Sequence, residues 1–156
     1  MGVWHRSKWG QAGSSIGELA LVLAVVGILT VLATPLFLTY YQASRLRVAA
    51  EEIAAFLNQG RQLAIRQNGS VCVHITPTAM HYHQGSCAGA VWTGAGTDAA
   101  GNLKAPVGVT LTTTANPIFN YLGAPTPGAT YTVTNTQTAS TLRVFVAASG
   151  RISIGP

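Results

Sequence analysis

Twenty consecutive uncharged residues, Leu19 to Leu38 (LALVLAVVGILTVLATPLFL), follow a single acid, Glu18, and a basic leader, MGVWHRSKWGQAG. A run of about 20 apolar residues is what a helix needs to cross a bilayer, so this segment constrains the chain more than any other feature. Glu18 at its mouth is costly. Insertion scales put a charged side chain in a membrane helix at about 2.5–3.5 kcal/mol, and such residues mark function. The run itself supplies no cation. A cut after Gly13 would, because it frees an α-amino group on Ser14 with an ordinary pKa of roughly 7.7–8.0. A secretory signal peptide would have an apolar core of about 7–15 residues and a small-residue cleavage site after it, and no convincing site ends this run. Arg6 and Lys8 keep the N-terminus in the cytoplasm by the positive-inside rule, which sends the remaining chain outward.

Of the 156 residues, roughly 40 belong to the leader and apolar segment, which leaves about 115 for one compact domain. Formal charge is +5; without Arg6 and Lys8, seven basic residues face four acids, a balance of +3. That is too mild to mark a nucleic-acid binder by charge alone. Cys72 and Cys87 both fall in the exported part, where an oxidising compartment permits a disulfide; two free thiols are the alternative. A bridge across so short a loop contributes roughly 2–4 kcal/mol in the loop-entropy account.

The helix continues beyond the apolar run. Leu46, Ala49, Ala50, Ile53, Phe56, Leu57, Leu63 and Ala64 recur at spacings of three and four, with Arg45, Glu51, Glu52, Asn58, Gln59, Arg61 and Gln62 on the opposite face. Gly60 interrupts the stripe, and Asn68-Gly69 closes it as a left-handed cap pair. A helix from Ser15 to Gln67 is roughly 80 Å long at 1.5 Å per residue. Strand alternation then takes over: Val71, Val73 and Ile75, a turn at Pro77-Thr78, and Met80 and Tyr82 form a hairpin. Further strands read at Val107–Thr113, Pro117–Leu122, Thr130–Asn135, Thr141–Ala147 and Arg151–Ile154, separated by turns such as GAPTPG at 123–128.

Gly13-Ser14-Ser15-Ile16-Gly17-Glu18, the apolar run and Pro35 together resemble the class III signal of type IV pilins and type II secretion pseudopilins. The resemblance implies a membrane prepilin peptidase that cuts after Gly13 and N-methylates Ser14. It also implies that Glu18 pairs with the terminal amine of an adjacent subunit, and that Pro35 is the proline midway along the helix. Ser14 stands where the family usually has Phe, and Gly17 where a bulky apolar residue usually precedes the acid; both departures fit a minor subunit. The order RQLAIRQNGSVCVHI, then FNYLGAPTPG, then SGRISI is similar to the GspH/FimT branch of minor pilins. The implied fold is α+β: a long N-terminal helix, transmembrane in its first half, packed on a C-terminal antiparallel β domain. The layout is then a cleaved leader at 1–13, a transmembrane and filament-core helix at 14–39, its amphipathic continuation at 40–68, and a β-rich surface domain at 69–156.

Catalytic machinery is not expected. The exported part offers only Glu51, Glu52 and Asp98 as acids, two on a helix face and one in a glycine-rich loop. His81 and His83 share one face of a strand by the period-two rule, and His74 lies across from them. Three imidazoles are a donor set for zinc or copper, but no acid lies near in sequence to support them, so cross-strand polar residues and no metal are the expectation. Gly94-Ala95-Gly96-Thr97-Asp98-Ala99 formally fits a dinucleotide-binding glycine motif, yet no helix or βαβ unit surrounds it, and no cofactor is expected. Some FimT-like minor pilins bind DNA through arginines near the C-terminus. Arg143 and Arg151, joined by Arg61, Arg66 and Lys104 if the fold gathers them, are the candidates here, and two or three phosphate contacts give only weak affinity.

The expected protein is a minor pilin or pseudopilin, a single-pass bacterial inner-membrane protein with its N-terminus cytoplasmic and its β domain periplasmic. It assembles with other pilins or pseudopilins through the N-terminal helix, in a type II secretion pseudopilus or a type IV pilus. A DNA-binding minor pilin serving natural transformation is the alternative.

Overall fold

The computed structural model describes residues 15–77 and 79–156, and of Leu36 only the backbone. Gly13 and Ser14, at the expected cleavage point, and Thr78, in the expected turn, lie outside the described residues. One helix, α1 (Ile16–Arg66), is followed by β1 (Val71–Ile75), β2 (Ala79–Gln84), β3 (Leu103–Lys104), β4 (Val109–Thr113), β5 (Ile118–Phe119), β6 (Pro125–Thr126), β7 (Ala129–Asn135), β8 (Thr141–Val146) and β9 (Ile152–Gly155). The chain forms two compact units, one ending at Thr39 and the other spanning Tyr40–Pro156. The class is α+β, as expected.

In the second unit the eight apolar residues of the helical stripe are all buried, Ala50, Ile53, Leu57 and Ala64 completely. Burying a side chain the size of Ile53 or Leu57 contributes roughly 1.5–3 kcal/mol, so this stripe is what fixes the helix to the strands. Gly60 does not interrupt it. A Cβ built there would lie 2.5 Å from Val73 Cγ2 and 3.0 Å from Tyr82 Cε1, so the missing side chain is what lets the β1–β2 hairpin seat on the helix. Tyr82 completes the contact: its ring stacks on Phe56 with centroids 4.3 Å apart, and its hydroxyl donates to the Phe56 carbonyl at 2.9 Å. Burial raises the Tyr82 pKa, which keeps that donor protonated. The helix ends because Asn68 adopts φ 47°. Its N–H then bonds the Ile65 carbonyl while the Gly69 N–H bonds that of Ala64, a Schellman closure in which asparagine carries the left-handed residue.

The strands form two antiparallel sheets, ordered β3-β2-β1-β5-β6 and β4-β7-β8-β9. Strand β7 alternates between buried and half-buried residues along its whole length, the period-two signature of a sheet with one face in the core. Phe119 from the first sheet and Tyr131, Val133 and Val144 from the second join the helix stripe in one hydrophobic cluster. The two-residue strands β3 and β6 are absent from the sequence reading, and β6 lies inside the segment expected to be only a turn. Buried Asn135 closes the β7–β8 turn: its Oδ1 accepts from the N–H groups of Gln137 (2.8 Å) and Thr138 (3.3 Å), while its Nδ2 donates to the Gln42 carbonyl on α1.

Candidate functional site

The helix start is built by a capping box. Ser15 Oγ accepts from the Gly17 N–H at 3.3 Å, and Glu18 Oε2 accepts from the Ser15 N–H at 3.3 Å, the reciprocal pattern expected of Ser and Glu three residues apart. Glu18 therefore has a local partner that the sequence reading missed, although it is a backbone dipole and not a cation. From Ser15 to Tyr41 no described side chain is buried. Leu21 is 66% exposed and Val31 73%, and this segment carries the one helical stretch among the described residues long and apolar enough to cross a membrane. Contiguous apolar surface of that extent needs lipid or other helices to cover it.

Pro35 lies inside this helix. It has no N–H to give to the carbonyl four residues earlier. The surrounding threonines bury their own polarity in the backbone: Thr30 Oγ1 donates to Val26 O (2.8 Å), Thr34 Oγ1 to Thr30 O (2.7 Å) and Thr39 Oγ1 to Pro35 O (3.3 Å). The run thus presents almost no free side-chain donor to an apolar medium, as a segment in lipid or a helix bundle requires.

In the β domain, Cys72 and Cys87 are bonded with Cα atoms 5.0 Å apart. The bond ties β1 to the long loop that follows β2. That loop returns across the hairpin through the Trp92 N–H to Tyr82 carbonyl bond (2.7 Å) and an isolated bridge between His83 and Val91. Farther along, Asp98 organises the glycine-rich stretch: Oδ1 accepts from the N–H groups of Ala100 and Asn102, and Oδ2 from the Asn102 side-chain amide. The Asn102 amide is the first cause of a lowered Asp98 pKa. No helix follows this stretch, which removes the geometry a dinucleotide site needs.

Arg143 and Arg151, the main candidates for DNA contact, stand apart, although Arg61 packs beside Gly150, the residue before Arg151. Arg143 lies on β8 opposite Gly155, whereas Arg151 accepts from the Ala147 N–H beyond the other end of the strand. Four residues of strand put them ~13 Å apart along the ladder. Arg61, expected on the polar face, is half-buried, and its Nε is enclosed without a hydrogen-bond partner. It packs beneath Gly123 and Gly150, both at positive φ, where a Cβ would strike Arg61 Nε and the Gly123 carbonyl respectively. The GAPTPG and SGRISI segments meet there, which accounts for glycine at both positions.

A long helix, bare and apolar in its first half and buried by a stripe under antiparallel sheets in its second, is the architecture of the pilin fold. Solved structures agree. The type IV minor pilin FimU of Pseudomonas aeruginosa superposes with a TM-score of 0.56 at 17% identity over 75% of this chain and 92% of its own. The minor pseudopilin EpsH of the type 2 secretion system of Vibrio cholerae gives 0.56 at 12% identity over 71% and 96%. No curated protein matches the chain by sequence. The family described as Type II transport protein GspH matches residues 49–150, and the chain belongs to it. It is a minor pilin or pseudopilin of a family of structural subunits that associate in a filament.

Proposed function

We propose that the chain is made as a precursor, cut after Gly13 by a prepilin peptidase and N-methylated on Ser14. Leu19–Leu38 then holds it in the inner membrane, N-terminus cytoplasmic and β domain periplasmic, until assembly. In the filament the apolar half of α1 packs among equivalent helices, Pro35 included. Glu18 exchanges its weak bond to the Ser15 N–H for the terminal amine of a neighbouring subunit and so sets axial register. The subunit's work is assembly, in a secretion pseudopilus or a pilus, without chemistry of its own.

The observation that carries this reading is the unburied apolar helix beginning at an exposed acid. The Ser15 N–H offers Glu18 only a backbone dipole, whereas an ammonium brings a full opposite charge whose attraction grows in a low-dielectric surround, so an amine arriving there displaces the amide. DNA uptake gains no such support, since Arg143 and Arg151 stand apart and two phosphate contacts carry little affinity. The test is processing. Co-expression with a prepilin peptidase should shorten the chain by thirteen residues, Gly13→Ala should block that, and a mature N-terminus beyond Leu19 would refute it.

A further inference from the structure

Tyr121 and Leu122 form the tip of the tight turn after β5, where they are 54% and 68% exposed, and Ile65 on α1 is 45% exposed. Turn tips ordinarily carry Gly, Pro, Asn, Asp or Ser, so two large apolar side chains there are out of place unless something covers them. The three residues belong to one patch. A Cβ at Gly123 would lie 2.9 Å from Ile65 Cδ1, which puts the turn directly against the end of α1. Building on the filament role proposed for this chain, we propose that the patch docks a different subunit of the same filament, which receives Tyr121 and Leu122 in an apolar socket rimmed by carboxylates.

The turn is rigid before any partner arrives. Asn120 closes it with four bonds: Oδ1 accepts from the N–H groups of Leu122 and Ala124, each at 3.0 Å, its carbonyl accepts from the Gly123 N–H at 2.8 Å, and its N–H donates to the Ala124 carbonyl at 3.0 Å. Beneath them Gly123 and Gly150 are buried and leave no room for a Cβ. No bond in this frame uses the side chain of Tyr121 or Leu122, so the frame presents them without depending on them. An anchor held in its bound shape loses little entropy on docking, and Tyr and Arg are among the residues that carry most interface energy. Apolar residues scattered singly over a surface are ordinary; three in one patch on a fixed support mark an interaction site.

The surroundings of the patch are positive. Arg66 adjoins Ile65, Arg61 packs under the turn, and exposed Arg151 follows Gly150 in the chain. None of the three makes an ion pair among the described residues, and Arg61 Nε is enclosed without a hydrogen-bond partner. Glu52, the nearest acid along α1, precedes Arg61 by nine residues, ~14 Å of helix. A partner that brings carboxylates meets cations that nothing nearby offsets, and such complementarity fixes register and suppresses wrong partners. A second copy of this chain does not supply the socket. Its two apolar hollows along α1, about 490 Å³ and 270 Å³, each set Glu52 against a cation, Lys104 in the first and Arg45 in the second. Aliphatic Leu122 and Ile65 also favour a protein over a nucleic acid, which takes stacking rings and phosphate contacts instead.

The test is photo-crosslinking of the full-length protein in cells that also express the pilins encoded beside it. With benzoylphenylalanine in place of Leu122, an adduct to one of those pilins is expected, identified by mass spectrometry. Adducts only to DNA, to lipid or to a second copy of this chain would overturn the proposal, as would no adduct from protein recovered with sheared filaments. Arg66→Glu sets like charges against each other and should lower the adduct yield about tenfold; an unchanged yield would contradict the carboxylate rim. Paired Tyr121→Ala and Leu122→Ala should leave membrane insertion and thermal melting unchanged and cut recovery with filaments at least about tenfold. Equal recovery of this variant and the wild type would sink the docking surface alone, whereas a wild-type chain absent from filaments would sink the filament role with it.

Discussion

Gly60→Ala is the substitution for which two simple rules give opposite signs. Helix propensity favours alanine over glycine by about 1 kcal/mol in a helix interior, and Gly60 lies well inside α1. The new methyl would stand 2.5 Å from Val73 Cγ2 and 3.0 Å from Tyr82 Cε1, against an optimum of about 3.5–4.0 Å for carbon pairs. Neither neighbour yields easily. Val73 is fully buried, paired with Tyr82 in the ladder and bonded through its N–H to the Pro117 carbonyl at 3.0 Å. Tyr82 is held by its stack on Phe56 and its hydroxyl bond to the Phe56 carbonyl. Overpacking a rigid contact costs about 1–3 kcal/mol, which less the propensity gain leaves a net loss of about 0–2 kcal/mol and a Tm lower by up to roughly 10 °C for a domain of this size. Thermal melting of the detergent-solubilised protein, followed by circular dichroism, measures it. In the double variant with Val73→Ala the loss should fall short of the sum of the two singles, since removing the Val73 methyls relieves the clash. A Tm above wild type for Gly60→Ala would show that the hairpin does not seat there.

Two further expectations concern the β domain. Asn135→Ala removes the acceptor of two turn N–H groups and the donor to the Gln42 carbonyl, and should cost about 2–3 kcal/mol in urea unfolding; a change under about 0.5 kcal/mol would contradict the assigned role. Paired Cys72→Ser and Cys87→Ser opens a loop of 15 residues and should cost about 3 kcal/mol. Reductant should then lower the wild-type Tm toward that of the variant, whereas two alkylatable thiols in unreduced exported protein would remove the premise.

The helix was legible because its pattern obeys one period: each of the eight stripe residues from Leu46 to Ala64 is buried. Strands β1, β2, β7 and β8 were legible for the same reason at period two, and their edges agree within two residues. What escaped the sequence depends on which segments meet. The two-residue strands β3 and β6 show no alternation at all and exist through pairing with Ala79–Met80 and Ile118–Phe119. Gly60 reads as a flaw in a helix until Val73 and Tyr82 are known to approach it. Arg61 reads as a solvated charge until Gly123 and Gly150 close over it. The histidine grouping was half visible, since spacing puts His81 and His83 on one face, but the Gly89 carbonyl that orients His83 comes from a loop with no period to read. At Glu18 the signal itself was in plain view: Ser15 and Glu18 spell a capping box, and attention to charge alone passed over it.

Glu18→Ala tests the assembly role most directly, because it separates a filament subunit from a domain on a plain membrane anchor. The substitution leaves Leu19–Leu38 intact and removes the carboxylate and its bond to the Ser15 N–H. Membrane insertion and cleavage at Gly13 should survive, while recovery with sheared filaments, or crosslinking to partner pilins in the membrane, should fall sharply. For a plain anchor, deleting the acid can only ease insertion, by up to about 3 kcal/mol. Incorporation of Glu18→Ala at the wild-type level would contradict the account.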